Sequence, residues 1–414
     1  MKHADTIVIG SGLAGLMAAL VSANQRQQVM LLTAGAGSLT LNSGVIDILG
    51  YDENHNYVEC PREAMASLPQ EHPYQKIGVA NVEKAVEFFL DFTRDYGFPY
   101  HGSLDHQLLV PTAVGTLKPT CLAPRCLDGT SLHGEEQIVI VGIKGLKDFY
   151  GNILQENLRR SLDGRTEFPV VEVETPLQGG RDITTLDVAR WLDTEDGRNS
   201  LVRQLKPYVK SDSTVFIVPQ ILGTRGQECA AALHELLGAE LLETTCLPPS
   251  VNGLRLQKML KQALKDLNVE IVENTKVLRA VSDGQRVKGV VAKASIREKT
   301  YYADKFILAT GGLYSGGITV REFDKPQETV FDLPVYSEAE EENWSNEELF
   351  GDKAQGFAKT GVRTDSSLRP VDADNRLVYE NVYVAGRNLG GYDFCFEHSG
   401  NGVALASAYK AAML

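Results

Sequence analysis

The chain has 414 residues, 23% of them charged, and a formal net charge of -13. That length exceeds the usual limit for one hydrophobic core and predicts two domains. The acidic balance, with no basic run, excludes the broad Lys/Arg surface that holds nucleic acid.

In chain order, "TIVI" at 6–9 reads as a short buried strand, and "GSGLAG" follows it at once. Gly10, Gly12 and Gly15 stand in the G-x-G-x-x-G arrangement, and Leu13, Leu16, Met17 and Leu20 continue at helical spacing. In such a turn the first glycine permits the tight bend, the second lets the backbone approach a phosphate, and the third allows close helix-to-strand packing. The helix start, with Leu13 and Ala14, adds unpaired N–H groups and a favourable dipole. "QVMLL" at 28–32 closes the βαβ unit. The N-terminus has the outline of a signal peptide, but Asp5 and the spaced glycines oppose that reading. No later segment reaches the ~18 uninterrupted apolar residues of a membrane helix.

The second strand meets Thr33, where a dinucleotide-binding protein normally carries the acid that grips the adenosine ribose. Beyond Thr33 and Ala34, "GAGSLTLNSGVIDILG" reads as a backbone-lined loop, with Asn42, Ser43 and Gly44 expected at a cofactor. Residues 50–135 are irregular apart from a helix expected at 82–95. "QIVIVGIKGLKDFYGNILQENL" gives a strand, a turn and an amphipathic helix, and further strands are expected at "FPVVEVE" and "TVFIVPQ". This pattern predicts an inserted α/β domain over residues 51–249. It would divide a nucleotide-binding domain built from 1–50 and 250–414.

The helix "GLRLQKMLKQALKDL" is followed by a small strand set and by "YYADKFILATGG", a buried strand ending in Thr310, Gly311 and Gly312. Such an ending lets the chain turn closely over a bound group. The acidic "SEAEEENWSNEELFGD" reads as solvated surface. In the final stretch, residues 381–412, a strand leads through Gly386 and Arg387 into a helix of small residues opened by Gly400, Asn401, Gly402 and Val403. Its N–H groups suit negative charge on a planar ring. The six cysteines, at 60, 121, 126, 229, 246 and 395, show no C-x-x-C pair or ferredoxin-like run, so no zinc site, iron–sulfur cluster or other metal site is expected.

These three glycine-rich stretches, in this order, resemble the two-dinucleotide-fold flavoproteins. Further stretches resemble the B subunits of anaerobic glycerol-3-phosphate dehydrogenase: "HPY" at 72, "VGTLKPTCLAP" at 114, "VGIKGLKDF" at 141, "LPPSVNGLRLQ" at 247, "ATGGLYSGG" at 309 and "GVRTDSSLRP" at 361. The resemblance implies a Rossmann-like α/β flavin-binding domain with an inserted second α/β domain. It implies oxidation of glycerol 3-phosphate to dihydroxyacetone phosphate, with electrons leaving through flavin to quinone. Its expected partners are a larger A-type flavin subunit and a C-type iron–sulfur subunit that attaches the complex to the inner face of the cell membrane. Membrane contact would come only through those partners, and the chain itself would be cytoplasmic.

With no acid at Thr33, FMN is the expected cofactor and FAD the alternative. Glu397, His398 and Arg255 are the candidate catalytic or substrate residues, and Lys118, Arg125 and Lys144 are further candidates for a substrate phosphate. Arg387 stands where related flavoproteins often carry an acid. Two other readings remain open: a flavin relay or assembly subunit that never meets substrate, and a stand-alone flavin reductase.

Overall fold

The computed structural model describes residues 3–132, 137–162, 168–177, 182–322, 324–349 and 351–414. Strand β1 (His3–Ile9), helix α1 (Leu13–Asn24) and strand β2 (Val29–Leu32) form the N-terminal βαβ unit. The strands are parallel, with Thr6–Ile9 in register against Val29–Leu32. Every residue of α1 from Leu13 to Ala23 is buried, so this helix has no solvent face and lies inside the core.

After helix α2 (Val79–Asp95) the chain builds strand β3 (Gln137–Ile143), helix α3 (Gly151–Ser161), and strands β4 (Val170–Val173), β5 (Thr214–Val218) and β6 (Glu240–Glu243). Helix α4 (Val251–Asp266) returns the chain to the first sheet. There it adds β7 (Glu270–Val272), β8 (Thr275–Asp283), β9 (Arg286–Ala294), β10 (Arg297–Leu308), β11 (Val382–Val384) and the last helix, α5 (Gly400–Met413). The helix expected at 82–95 begins three residues earlier, at Val79, where Gly78 has a positive φ and starts it.

The large sheet runs β7-β2-β1-β10-β9-β8, with β11 also paired to β10. Strand β10 is long enough to serve two neighbours on one side. Its first half pairs antiparallel with β9, and Phe306–Leu308 pair parallel with Val382–Val384 of β11. On its other side β1 pairs along Tyr302–Leu308. The fold is the α/β, Rossmann-like arrangement with a second α/β unit.

That second unit has a four-stranded, all-parallel sheet ordered β6-β5-β3-β4 and its own core from Leu132 to Leu242. Apolar residues between Val58 and Leu122, among them Tyr74, Phe89 and Tyr100, pack instead into the core of the large sheet. The separate core therefore begins well after residue 51. The intervening segment lacks a sheet large enough to bury those rings and borrows the larger core.

A buried ion pair is among the contacts that fasten the two sheets. Arg255 of α4 forms a two-pronged ion pair with Glu243 of β6, at 2.7 and 2.9 Å, and its Nε donates to the Gly223 carbonyl at 2.9 Å. The two side chains are 1% and 0% exposed. Burial by itself would lower the guanidinium pKa, but the Glu243 carboxylate more than offsets that and holds it above its ordinary value. The expectation of Arg255 as a free cation for substrate phosphate is therefore corrected: its donors are committed to joining the two units. Glu243→Gln should leave the buried guanidinium uncompensated and cost about 3–5 kcal/mol. Arg255→Met combined with Glu243→Leu should recover most of that loss. Urea unfolding midpoints check both, and an unshifted midpoint in Glu243→Gln would sink the assignment.

Candidate functional site

The β1–α1 turn, the loop after β10 and the turn after β11 all lie at the carboxyl ends of parallel strands, where open α/β sheets place ligands. With the start of α5 they wall a cavity of about 460 Å³. Gly10 has φ +110°, and a Cβ there would lie 2.2 Å from the Ala309 carbonyl oxygen. A Cβ on Gly15 would lie 1.8 Å from the Gly10 carbonyl oxygen, so only glycine lets α1 come this close to the turn. Gly15 thus packs rather than lines. At Gly12, by contrast, an added Cβ meets only Ser38 Oγ within 4 Å, at 3.8 Å, and the residue faces the cavity. No side chain caps α1, which leaves its first N–H groups for an anion.

The structure brings Gly10, Gly12, Leu13 and Ala14 to this wall, together with Thr33, Ala34 and Asn42. Thr310, Gly311, Gly386, Arg387, Gly400 and Asn401 line it from the other loops. Side-chain amides hold these loops together. Asn42 Nδ2 reaches Asn401 Oδ1 at 3.4 Å, and Gly311 N–H donates to Asn388 Oδ1 at 2.9 Å. Ser43, Gly44, Gly402 and Val403 stand off the wall. The Ser43 and Gly44 carbonyls accept from Asn252 and from the Tyr100 hydroxyl, at 3.0 and 2.7 Å, and Gly402 N–H donates to the Asp47 carbonyl at 2.9 Å.

Sequence reasoning missed the far wall of Thr275, Lys276 and Val277, and also Tyr314. No motif marks Thr275–Val277, which reach the cavity only through the sheet order, whereas Tyr314 lies in the "ATGGLYSGG" stretch. The missing acid at Thr33 does not close that end, because the cavity continues past Thr33 to Val277. Thr33 Oγ1 is engaged within the protein, 2.7 Å from Ser11 Oγ.

The wall suits an anion. Among the described residues its charged side chains are Lys276 and Arg387, with no carboxylate and no histidine. Arg387 lies over the Phe394 ring, 3.9 Å from its centroid. Glu397 and His398 do not line the cavity. Glu397 accepts from Ser399 Oγ and lies 3.1 Å from His72 Nε2; because His72 Nδ1 accepts the Tyr74 N–H, the imidazole proton sits on Nε2 and points at Glu397. His398 packs edge-on to Tyr51 at 4.9 Å, and its buried Nδ1 has no partner among the described residues. Burial first and Lys118 second lower its pKa. Of the other cations, Lys118 pairs with Asp47, Lys144 pairs with Glu174 at 2.8 Å, and Arg125 is exposed; none lines the cavity.

Residues 5–403 match the FAD binding domain family. Over 99% of its length the chain is 30% identical to the B subunit of anaerobic glycerol-3-phosphate dehydrogenase from Vibrio vulnificus (strain YJ016), covering 96% of that protein. It is 33% identical to the probable B subunit of the same enzyme from Halobacterium salinarum (strain ATCC 29341 / DSM 671 / R1), with coverage of 99% and 97%. The chain belongs to this family of FAD-binding-domain B subunits. The family makes the cofactor a flavin and the chain an oxidoreductase subunit. The expected preference for FMN finds no support in the family or in the open end beside Thr33. Among solved structures, 3-ketosteroid delta1-dehydrogenase from Sterolibacterium denitrificans aligns with TM-score 0.48 and 10% identity, covering 100% of this chain and 99% of that one.

Gly12→Val should fill the space at the start of α1, where an added Cβ meets no backbone atom within 4 Å. Flavin retained after gel filtration should fall at least tenfold while the melting temperature of the flavin-free chain stays put; normal flavin content would place the cofactor phosphate elsewhere. His398 gives a pH effect of defined sign. Its folded pKa is lowered, so the unfolded chain binds the proton first, near about 6.5. Stability is then full above that pH and lost as pH falls through it. His398→Asn should flatten the fall in melting temperature between pH 7 and 5, and an unchanged slope counts against a buried neutral imidazole.

Proposed function

We propose that this chain is the B-type flavoprotein subunit of a membrane-attached glycerol-3-phosphate:quinone oxidoreductase, and that it carries FAD. The observation that carries the reading is the cavity itself, where two helix starts and two cations face one anion-shaped space in a chain aligned end to end with B subunits. Gly12, Leu13 and Ala14 would hold phosphate through backbone N–H groups. Asn42, Gly400 and Asn401 would face the ring, and Thr33, Thr275 and Val277 would enclose an adenosine. FMN would leave that last portion of the cavity to water. Bound flavin supplies the exchange between two-electron and one-electron chemistry that no side chain here provides.

In this reading the chain works with an A-type flavin subunit. A C-type iron–sulfur subunit receives the electrons and supplies the membrane contact. No described helix is long and apolar enough to cross a membrane, which fits that division.

A second reading has an observation of its own. The titratable side chains on the described cavity wall are Lys276, Tyr314 and Arg387, with no carboxylate and no imidazole among them, and burial raises the Tyr314 pKa. Oxidising an alcohol requires an acceptor for the hydroxyl proton. A flavin without such an acceptor fits an electron relay between substrate-oxidising and iron–sulfur partners.

Two measurements test the proposal. Cofactor released from the native complex should have the mass of FAD for this subunit, and FMN would overturn that part. Anaerobic addition of glycerol 3-phosphate to the flavin-loaded chain should bleach its absorbance if substrate is oxidised here; bleaching only when the larger partner is present establishes the relay.

A further inference from the structure

A second, smaller recess adjoins the cofactor cavity, and Arg387 and Tyr314 line both. Its remaining walls come from the loop after β10, the turn at Gly356–Lys359 and the loop leading into α5. The recess is small, about 10 Å³, room for a single oxygen atom or water molecule.

Two hydroxyls on this wall are unused. Thr360 Oγ1 and Tyr392 Oη are both buried without a hydrogen-bond partner among the described residues. The residues are 4% and 3% exposed. Buried polar groups are almost always paired, so two orphaned hydroxyls in one recess need a reason. Burial also pushes the Tyr392 phenol well above its ordinary pKa, which keeps it a proton donor across the working pH range.

Arg387 completes the pattern. Its guanidinium rests on Phe394, which fixes its position and leaves its edge N–H groups to donate sideways. Among the described residues, no carboxylate side chain lines the recess. Two neutral donors and one fixed cation complement an oxyanion far better than a neutral or cationic group.

We propose that this recess is an oxyanion subsite. One oxygen of a phosphate enters the recess that Thr360 and Tyr392 line, and Arg387 holds the rest of the group at the junction with the cofactor cavity. The ligand class is a small phosphorylated alcohol, and inorganic phosphate shares the recognised chemistry. The inference rests on the reading in which substrate meets this chain.

The test titrates the full-length, flavin-loaded chain with inorganic phosphate and with glycerol 3-phosphate, following heat release and the flavin difference spectrum. Both ligands should saturate. Thr360→Val combined with Tyr392→Phe should weaken both at least tenfold, with flavin content and melting temperature unchanged. Arg387→Lys should retain more affinity than Arg387→Gln. If the double variant loads flavin poorly, Tyr392→Phe alone, which removes one oxygen atom, should still show a severalfold loss. Glycerol 3-phosphate binding that ignores these substitutions overturns the subsite and leaves the function standing, the hydroxyls then holding water only. A wild-type chain that binds neither ligand overturns both the subsite and substrate contact on this chain.

Discussion

The cavity depends on how closely α1 lies against the strands around it. A helix buried on every side cannot be positioned by a polar face and must be held by packing, so each approach distance is set by residue size. Gly15 against the Gly10 carbonyl and Gly10 against Ala309 bring the helix start within reach of β10. The small residues of α5 then let a second helix pack beside α1 with its own start at the same space. Two helix N-termini with Lys276 and Arg387 create a positive site in a chain whose net charge is -13. Screening makes this possible, because at physiological salt only groups within roughly 10 Å contribute strongly.

Arg255 and Glu243 act at the next level of organisation. Their ion pair joins α4, which packs beside α1, to the edge strand β6 of the small sheet. Asn252, on the same helix, holds the Ser43 carbonyl, and Tyr100 holds that of Gly44. The loop that carries Asn42 to the cavity is therefore fastened from the side of the inserted chain.

The polar residues before α5 divide in function. Glu397 is engaged by His72 and Ser399, so it orders the start of α5 rather than standing free beside it. His398 is neutral and has an unused nitrogen, yet it packs among Tyr51, Lys118 and Asp47 away from the cavity wall. Among the described residues, the unsatisfied donors that do adjoin the cavity are on Thr360 and Tyr392; Tyr392 lies within the glycine-rich stretch 381–412, but nothing in that pattern marks its hydroxyl.

Local patterns along the chain were enough to specify the β1–α1–β2 unit, the flavoprotein class and the principal glycine turns. A strand running into G-x-G-x-x-G needs only its own backbone to expose N–H groups. The order of the strands placed Thr275–Val277 opposite Thr33, and that decision belongs to the tertiary structure. So do the fate of Arg255, which met a carboxylate twelve residues upstream inside the core, and the recess at Arg387. Charge and hydrogen-bond demand are properties of a residue type, but whether a partner meets them depends on which segments pack together. For that reason the glycine turns at the cavity were legible in the sequence, whereas its Thr275–Val277 end and the polar groups beside it were not.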